Sequence, residues 1–301
     1  MQFEDARASR ASRGSNPLIC PVRRCGCTLA IDGSVMSCKN GHGFDRSRKG
    51  YWNLTQPQDK KSSTPGDSAD AVEARHRWIA SGTMSHLVDA LASLVPNASP
   101  TSKATDNHRD SAITDAVATV IDIGCGEGSF GRLLHGETED QFIGIDLSRA
   151  ALGRASRAWP DATWILANAD RGLPIRDDSV DIVYSMFGRR PIGEIVRVLR
   201  TGGIAAICVP APDDLIELRR DVQSEGHLRD RGSAIVATFV DAGMSLQSRT
   251  TCGRAVELDA EQVRDAMAMT YRAGKRSRDA AIDSVDAMTV TVSADVMLFR
   301  L

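Results

Sequence analysis

A glycine-rich segment and an acid have the types and spacing of a ligand-binding site. The segment Gly124-Cys125-Gly126-Glu127-Gly128 follows the aliphatic run 117–121, and Asp146 ends a second run at 142–145. Buried parallel strands read as continuous aliphatic runs. Glycines let a ligand lie against bare backbone at a helix N-terminus, and an acid about 20 residues on is placed to accept the hydroxyls of a ribose. The pattern predicts strand, turn, helix and strand, with a pocket for a ligand that carries a ribose.

The same segment resembles motif I of class I S-adenosylmethionine (SAM) methyltransferases. The dinucleotide pattern G-x-G-x-x-G is not met, because the third glycine falls too early. The alternative is an ordinary tight turn in an α/β domain without a ligand. After the third predicted strand, Asn168 and Ala169 stand where these methyltransferases place a polar group against adenine, and Asp170 is the rival of Asn168. The resemblance implies that the glycine segment, Asp146, Asn168 and Ala169 bind SAM.

A second candidate site is a group of cysteines and a histidine near the N-terminus. Four of the seven cysteines fall between residues 20 and 38, and a histidine follows them. In a cytosolic chain such a cluster indicates a metal site rather than disulfides, and zinc needs four such ligands in a tetrahedron. We predict a structural zinc site, and the alternative is a vestigial finger. The preferred ligands are Cys20, Cys25, Cys38 and His42, with Cys27 spare but able to substitute for Cys25.

Cations stand beside aromatic residues just after this cluster. Arg46 and Lys49 lie close in sequence to Tyr51 and Trp52. Cations and aromatic rings together suit phosphate contact and base stacking on RNA. The alternative is that Phe44, Tyr51 and Trp52 form the small core of the N-terminal module.

Charge divides the chain into two unlike parts. The 301 residues carry a net charge of −2, and this length is enough for two domains with a sizeable core. Residues 1–61 hold 11 Lys and Arg against 5 Asp and Glu, whereas the remainder holds 26 against 34. Contact with a polyanion is therefore expected in the N-terminal part, and a merely solvated basic face is the alternative.

Neither a membrane segment nor a secretory signal is evident in the sequence. No apolar run approaches the ~20 residues that a membrane span needs. The first 15 residues are polar and carry arginines, without the apolar middle of a signal peptide. We expect a cytoplasmic protein with no membrane contact.

Hydrophobic periodicity predicts the elements that hold these sites. The expected strands are 117–121, 142–145, 163–167, 179–185, 204–209, 245–251 and 288–298, the last returning antiparallel at an edge. The fold class is α/β, a Rossmann-like class I methyltransferase sheet of seven strands with a small N-terminal zinc-binding module. The predicted organisation is a disordered tail at 1–15, a zinc-binding RNA-contact module at 16–55, a connector and helices covering the cofactor site at 56–96, a surface insertion at 97–115, and a SAM-dependent methyltransferase domain at 116–301.

Short motifs along the chain point to one family. They are Cys38-x3-His42 with Phe44-Asp45, the segments 50–54 and 65–68, Ala74-Arg75, Gly82, the loop 122–128, and Pro210-Ala211-Pro212 with Glu217-Leu218. Together they resemble the RlmA-type ribosomal RNA guanine-N1 methyltransferases, which act on large-subunit RNA hairpins, over nearly the whole chain. The resemblance implies SAM as cofactor, a zinc module that binds ribosomal RNA, and a homodimer that forms a basic cleft.

Several positions depart from the pattern of this family. Its members usually carry Tyr/Phe-Ala-Pro after the fourth strand, where this chain reads Phe187-Gly188-Arg189-Arg190. Met84 replaces a typical aromatic residue and Asp214 a histidine common near the cofactor, so both are carried over as cofactor-binding positions. Tyr271-Arg272 stands where the family continues with proline. The cofactor site is therefore better supported than the identity of the methylated base.

No motif in the sequence identifies the base that removes the proton from guanine N1. Asp67 and Asp214 are candidate acceptors, with surface or capping roles as alternatives. Arg189 or Arg190 can hold a phosphate or the guanine O6, and plain solvent exposure is the alternative. Two other functions compete with the RNA methyltransferase: a SAM-dependent methyltransferase of a small molecule, and a non-catalytic RNA-binding relative that keeps the fold.

Overall fold

The computed structural model describes residues 16–57, 59, 66–95, 117–223, 230–270 and 287–301. The predicted tail at 1–15, the predicted surface insertion at 97–115, Pro65 and Tyr271-Arg272 lie outside the described residues. Among the described helices, none combines the length and the apolar character that a bilayer crossing requires.

The N-terminal part of the described chain contains a small antiparallel sheet. Its strands are β1 (Leu29–Asp32), β2 (Val35–Cys38) and β3 (Gly43–Asp45). Glycines with positive φ lie in the two connecting turns, Gly33 at +58° and Gly41 at +81°. Strands of this length bury too little surface to be stable alone, so this module depends on other contacts.

A second sheet of eight strands forms the centre of the molecule. Its strands are β4 (Trp52–Asn53), β5 (Thr119–Ile123), β6 (Gln141–Asp146), β7 (Thr163–Leu166), β8 (Val180–Met186), β9 (Leu199–Pro210), β10 (Ser245–Asp259) and β11 (Ala287–Arg300). Across the sheet they stand in the order β10-β11-β9-β8-β5-β6-β7-β4. Strands β4 to β9 run parallel, and β11 is antiparallel to both β9 and β10.

The α/β fold is confirmed, but the predicted count of seven strands is wrong. The eighth strand is β4, in which Trp52 pairs with Ile165 of β7. A strand of two residues has no periodicity, so only its tertiary contact identifies it. The predicted edge position of the last strand is also wrong: β11 is buried on both faces from Val292 to Phe299 and lies between β9 and β10. The edge belongs to β10, which is exposed along most of its length.

Helices connect the strands and cover the sheet. They are α1 (Ala69–Ala80), α2 (Ser85–Leu94), α3 (Ser129–His135), α4 (Arg149–Ala158), α5 (Ile192–Val198), α6 (Ile216–Gln223), α7 (Gly232–Asp241) and α8 (Ala260–Thr270). Serines begin two of them: the Oγ of Ser68 accepts from the N–H of Ala71, and the Oγ of Ser148 accepts from the N–H of Ala151. Such caps satisfy amides that have no partner within the helix. Helix α7 was not predicted from the sequence.

The N-terminal module shares its core with the main sheet. One face of that sheet packs against α1, α2, α4 and α8. On the other face, Leu18, Met36 and Trp52 of the module lie in one apolar cluster with Ile195 of α5 and Phe239 of α7. Backbone bonds reinforce this contact, because the N–H of residue 19 donates to the carbonyl of residue 174 over 2.9 Å. The module is therefore continuous with the sheet that carries the glycine segment.

Candidate functional site

The glycine segment 124–128, hereafter the glycine loop, links β5 to α3. The N–H of Gly124 donates to the carbonyl of Ile145 over 2.8 Å, which holds the loop against β6. Gly124, Gly126 and Gly128 all have positive φ, at +73°, +57° and +78°. A Cβ at Gly128 would lie 2.3 Å from Cη2 of Trp164, so a larger residue has no space there. The loop thus presents bare backbone at the carboxyl ends of the strands, as predicted.

Asp146 at the end of β6 is bonded to this loop. Its Oδ2 accepts from the N–H of Gly126 over 2.9 Å, and its Oδ1 accepts from the N–H of Ser148 over 2.7 Å. Burial raises the pKa of Asp146, while these two amide bonds lower it. Each carboxylate oxygen has a further lone pair, so Asp146 can still accept hydroxyl groups of a ribose.

Two more buried carboxylates lie next to the glycine loop. Asp122 is 2% exposed, and burial, followed by the charges of Asp146 and Glu127, raises its pKa to about 8. Burial also raises the pKa of Glu127, which is 4% exposed. Neither Asp122 Oδ1 nor Glu127 Oε2 has a hydrogen-bond partner within the described residues. A crevice with unsatisfied acidic oxygens is complementary to a cation, and the sulfonium and ammonium groups of SAM carry such charge. The residues present therefore fit this cofactor.

Arg75 of α1 covers the loop from the other side. Its guanidinium pairs with Asp67 and lies 3.9 Å from Oε2 of Glu127. A Cβ at Gly126 would stand 3.3 Å from Nη1 of Arg75, so the arginine lies directly over the loop. The sequence predicted that α1 covers the cofactor end of the sheet. It did not identify the contact between Arg75 and Glu127, because these two residues are distant in the chain.

The segment 66–68 closes the same edge of the sheet. The Oγ of Ser148 donates to the carbonyl of Asp67 over 2.9 Å. A Cβ at Gly66, whose φ is +80°, would meet the N of Ser148 at 2.7 Å. This close approach needs glycine, and it brings the candidate base Asp67 beside Asp146. The Asp67 carboxylate is paired with the guanidinium of Arg75.

The candidate adenine contacts lie at the end of β7. The N–H of residue 167 donates to the carbonyl of Asp146 over 3.1 Å, which sets Asn168 and Ala169 next to that acid. The Oδ1 of Asn168 accepts from the N–H of Asp170 and begins a short 3₁₀ helix. Asp170 itself pairs with Arg189 over 2.8 Å. The structure therefore brings Asn168 and Ala169 to the Asp146 side of the crevice. Asp170 instead contacts the turn that follows β8.

Met84 and Asp214 have structural partners of their own. Met84 precedes α2, is 9% exposed, and belongs to the same apolar cluster as Cys125. The Oδ1 of Asp214 accepts from the N–H of Ser293 in β11 over 3.0 Å. Burial raises the pKa of Asp214 to about 6. This bond holds Asp214 against β11. Met84 instead packs in the apolar cluster that includes Cys125 of the glycine loop.

A strained turn follows β8 and touches the glycine loop. Phe187 has a φ of +57°, and its N–H donates to the carbonyl of Cys208 over 2.9 Å. Left-handed backbone at a bulky residue is uncommon and concentrates at functional sites. A Cβ at Gly124 would lie 3.3 Å from the Cα of Gly188, so the two segments are in close contact. The sequence identified this segment as a departure from a family pattern and offered its arginines as candidate contacts, but it did not identify the strain, which cannot be read from residue types.

The predicted zinc ligands converge in the N-terminal module. The ligand atoms of Cys20, Cys25, Cys38 and His42 all lie within 4.8 Å of one another. The separations of neighbouring ligands run from 3.4 to 3.7 Å, whereas a tetrahedron with 2.3 Å bonds has edges of about 3.8 Å. This donor set fits a structural zinc ion. Cys27 lies beside it, with its Sγ 3.6 Å from the carbonyl of Cys25 and outside the set.

The aromatic residues after the cluster are packed inside the molecule. Phe44, Tyr51 and Trp52 are 8%, 5% and 5% exposed. Their faces are therefore not open for base stacking. They do not form a core of the module alone, as the alternative held: Phe44 and Trp52 lie in the cluster that the module shares with the main sheet, and Tyr51 lies in the cluster on the other face of that sheet. The cation Arg46 lies over the Trp52 ring at 5.6 Å from the centroid, so its charge remains at the surface of the module.

Both parts of the chain match described families. Residues 120–203 match the family described as "Methyltransferase domain", and residues 18–63 match the family described as "RlmA, N-terminal". The 23S rRNA (guanine(748)-N(1))-methyltransferase of Streptomyces fradiae is 33% identical over 71% of this chain and 69% of its own length. The putative 23S rRNA (guanine-N(1)-)-methyltransferase YxjB of Bacillus subtilis is 30% identical over 93% and 95%.

A relative that methylates a different substrate matches a smaller part of the chain. The malonyl-[acyl-carrier protein] O-methyltransferase of Pectobacterium atrosepticum is 30% identical over 44% of this chain and 57% of its own length. By contrast, the alignment with YxjB spans nearly the whole of both chains.

Proposed function

Because this chain belongs to the family of 23S rRNA (guanine-N1) methyltransferases, we propose that it methylates N1 of a guanine in a large-subunit ribosomal RNA hairpin. The chain is a SAM-dependent methyltransferase with a structural zinc site. The finer assignment of substrate and residues is the proposal. The main support for this proposal is that a Cys3His cluster and a crevice that suits SAM are joined by one apolar core.

The glycine loop and Asp146 are proposed to hold the cofactor. Amides of the loop and the carboxylate of Asp146 would bind the adenosyl group, with Asn168 and Ala169 at the adenine edge. The buried carboxyl groups of Asp122 and Glu127 lie beside the loop and leave an oxygen each without a hydrogen-bond partner among the described residues, which a bound cofactor could contact. Bound SAM supplies an activated methyl group on a sulfonium.

The substrate guanine is proposed to enter beside the turn after β8. This turn lies against the glycine loop, and Phe187 in it is 38% exposed. Methyl transfer is an in-line displacement, so most of the rate comes from fixing N1 against the methyl group. Asp67 is paired with Arg75, and Asp214 accepts from the N–H of Ser293 at β11, so both carboxylates already have structural partners. The chain's contribution is therefore chiefly positioning and exclusion of water.

The zinc module is proposed to bind the RNA outside the target base. Its basic residues give residues 1–61 an excess of positive charge over an acidic remainder, which suits a polyanion. The family resemblance also implies a homodimer, and light scattering after gel filtration tests it. Since the substrate is ribosomal RNA, we place the reaction in the cytoplasm.

Mass mapping of 23S rRNA tests the proposed function. The purified chain is incubated with SAM and with 23S rRNA from cells that lack this chain. We expect one new methyl group on N1 of one hairpin guanine, and a reverse-transcription stop at that position, because N1 methylation blocks base pairing. Asp146→Ala should give no product.

A small-molecule methyltransferase predicts another outcome. The partial match to an O-methyltransferase of a carboxylic acid and the departures after β8 are the observations in its favour. If 23S rRNA gains no methyl group while malonyl or other small acids do, the RNA proposal is wrong.

A further inference from the structure

Arg190 has an unusual environment for a half-buried arginine. Its Nη1 donates to the carbonyl of Gly188 over 2.8 Å. Burial lowers the pKa of Arg190, and the charges that lower it further are those of Arg231 and Arg189. Within the described part of the chain, no carboxylate pairs with Arg190. Its surroundings are thus positive on two sides, without an acid to compensate.

Neighbouring arginines in the same domain are paired. Arg189 pairs with Asp170, Arg197 with Glu194, and Arg200 with Asp181. Removing a guanidinium from water costs free energy unless a counter-charge offsets it. Arg189 already has Asp170 as its counter-charge, whereas the half-buried Arg190 has no paired carboxylate among the described residues. Arg190 therefore calls for an anion from outside the described chain.

The position of Arg190 relates it to the reaction centre. It ends the turn that follows β8, and its hydrogen-bond acceptor Gly188 lies against the glycine loop. The Oγ of Ser185 donates to the carbonyl of residue 189 over 3.0 Å, which fixes the turn on its β8 side. Arg231 stands at the start of α7 and is exposed. The cluster thus extends from the cofactor crevice to the surface.

We propose that Arg190, with Arg189 and Arg231 beside it, binds a backbone phosphate of the RNA next to the methylated guanine. This inference rests on the proposed function and names a contact of the catalytic domain with the same substrate. Guanidinium groups bind phosphate oxygens with two parallel hydrogen bonds. A phosphate held here would fix the sugar of the target nucleotide, so that its base reaches the glycine loop.

The carboxylate of SAM is the rival anion for this cluster. The cofactor has a single carboxylate, and Arg75 already lies over the glycine loop on the α1 side. Arg190 lies on the β8 side, and the cluster leads away from the loop toward α7. An extended row of cations suits a chain of phosphates better than one carboxylate.

Kinetics with full-length 23S rRNA and SAM test this contact. Arg190→Gln should raise the KM for RNA by about tenfold with kcat changed less than about twofold, because it removes a charge-assisted contact made before the reaction. It should also lower the slope of log affinity against log salt by ~0.7–0.9. The Kd for SAM, measured by calorimetry without RNA, should be unchanged. Arg190→Lys keeps the charge and should keep the salt slope, with an intermediate KM.

Arg300→Gln is the matched control. Arg300 also donates to a backbone carbonyl, that of Gly202, but it lies away from the carboxyl ends of the parallel strands, where the glycine loop is. The Arg300→Gln variant loses the same charge as Arg190→Gln, but its KM for RNA and its salt slope should equal those of the unmodified chain. A synthetic hairpin with neutral methylphosphonates on both sides of the target guanine should abolish the difference between the unmodified chain and Arg190→Gln.

Three results would overturn this inference. An Arg190→Gln variant with unchanged RNA KM and salt slope leaves the proposed function standing and removes the phosphate site. A weaker SAM affinity with unchanged RNA binding assigns the cluster to the carboxylate of SAM. If the unmodified chain methylates no 23S rRNA, the proposed function fails and this contact fails with it. Should Arg190→Gln not fold, as judged by its melting temperature, Arg190→Lys and the methylphosphonate hairpin decide alone.

Discussion

At the scale of single residues, Asp146 joins the glycine loop to the helix that follows β6. Its two oxygens accept from the amides of Gly126 and Ser148. Loss of this carboxylate would leave two amides without partners and remove the proposed acceptor for the ribose. Charged hydrogen bonds of this kind contribute about 1.5–3 kcal/mol each.

We expect Asp146→Ala to weaken SAM binding by about 100-fold or more. Calorimetry with SAM or its demethylated product measures the change. Asp241→Ala, at an exposed position at the end of α7, is the control and should bind SAM normally. Normal SAM affinity in Asp146→Ala would contradict the placement of the adenosyl group.

Asp122 makes the free energy of unfolding depend on pH. Its pKa is raised to about 8 by burial and by Asp146 and Glu127, whereas an unfolded Asp titrates near 3.9. Between these values the folded state holds the proton more tightly, so the stability from Asp122 is complete at low pH and is lost as the pH rises toward 8.

We expect Asp122→Asn to become more stable relative to the unmodified chain as the pH rises from 5 to 8.5. The amide has the shape of the protonated acid but does not titrate. The relative gain should be about 1–3 kcal/mol. Urea unfolding without SAM at both pH values measures it. Parallel pH profiles for the two chains would show that Asp122 titrates normally.

Sequence reasoning identified the residues of the glycine loop and Asp146 because their signals are local. Aliphatic runs, glycines and an acid at a fixed spacing lie within 30 positions. The pairing of Arg75 with Asp67 beside Glu127, and the raised pKa of Asp122, depend on burial and on contacts between distant segments. Such features follow from tertiary packing and leave no pattern in the residue types.

At the scale of elements, the turns of the N-terminal module define the metal cluster. Cys25 follows Arg24, which has a φ of +65°, and Gly41 lies between Cys38 and His42 with a φ of +81°. These turns bring four ligand atoms together. Spacing alone left Cys27 as a substitute for Cys25, whereas the turn geometry separates the two.

We expect the purified chain to contain one zinc ion, and Cys25→Ser and Cys38→Ser to lose it. Cys27→Ser is the matched control and should retain zinc, because its Sγ lies outside the ligand set. Elemental analysis by mass spectrometry measures the metal content. Zinc loss in Cys27→Ser together with retention in Cys25→Ser would exchange the two assignments.

Two strands were mispredicted for different physical reasons. β4 has two residues and is defined only by its contact with β7, so no local pattern reveals it. The interior place of β11 goes with its burial on both faces, which the edge placement assumed for the last strand did not take into account. Long strands are therefore readable from local pattern, whereas a two-residue strand and the order of the strands depend on tertiary contacts.

At the scale of the whole molecule, the module and the methyltransferase sheet share one apolar core. Leu18, Met36 and Trp52 pack in the same apolar cluster as strands β5 to β9. Metal binding supplies folding free energy to small zinc modules. Because the core is shared, we expect loss of the metal to lower the stability of the whole chain.

We expect zinc removal by a chelator to shift one unfolding transition rather than create a second one. The melting temperature should fall by roughly 5–10 °C, and circular dichroism and tryptophan fluorescence should give coincident curves. Two separated transitions, with the SAM-binding part unchanged, would show that the module folds independently. Re-addition of zinc serves as the control and should restore the original curve.

The joint at β4 has a consequence for how an RNA would be selected. The hydrogen-bonded pair of β4 with β7 and the bond from residue 19 to residue 174 tie the described part of the module to the sheet that carries the glycine loop. If these ties keep His42 and the glycine loop at a fixed separation, an RNA that contacts the module and the methyl donor at once must bridge that span. Stem length would then discriminate among hairpins, and one base pair inserted between the two contacts would carry the guanine out of reach even with an unchanged loop sequence.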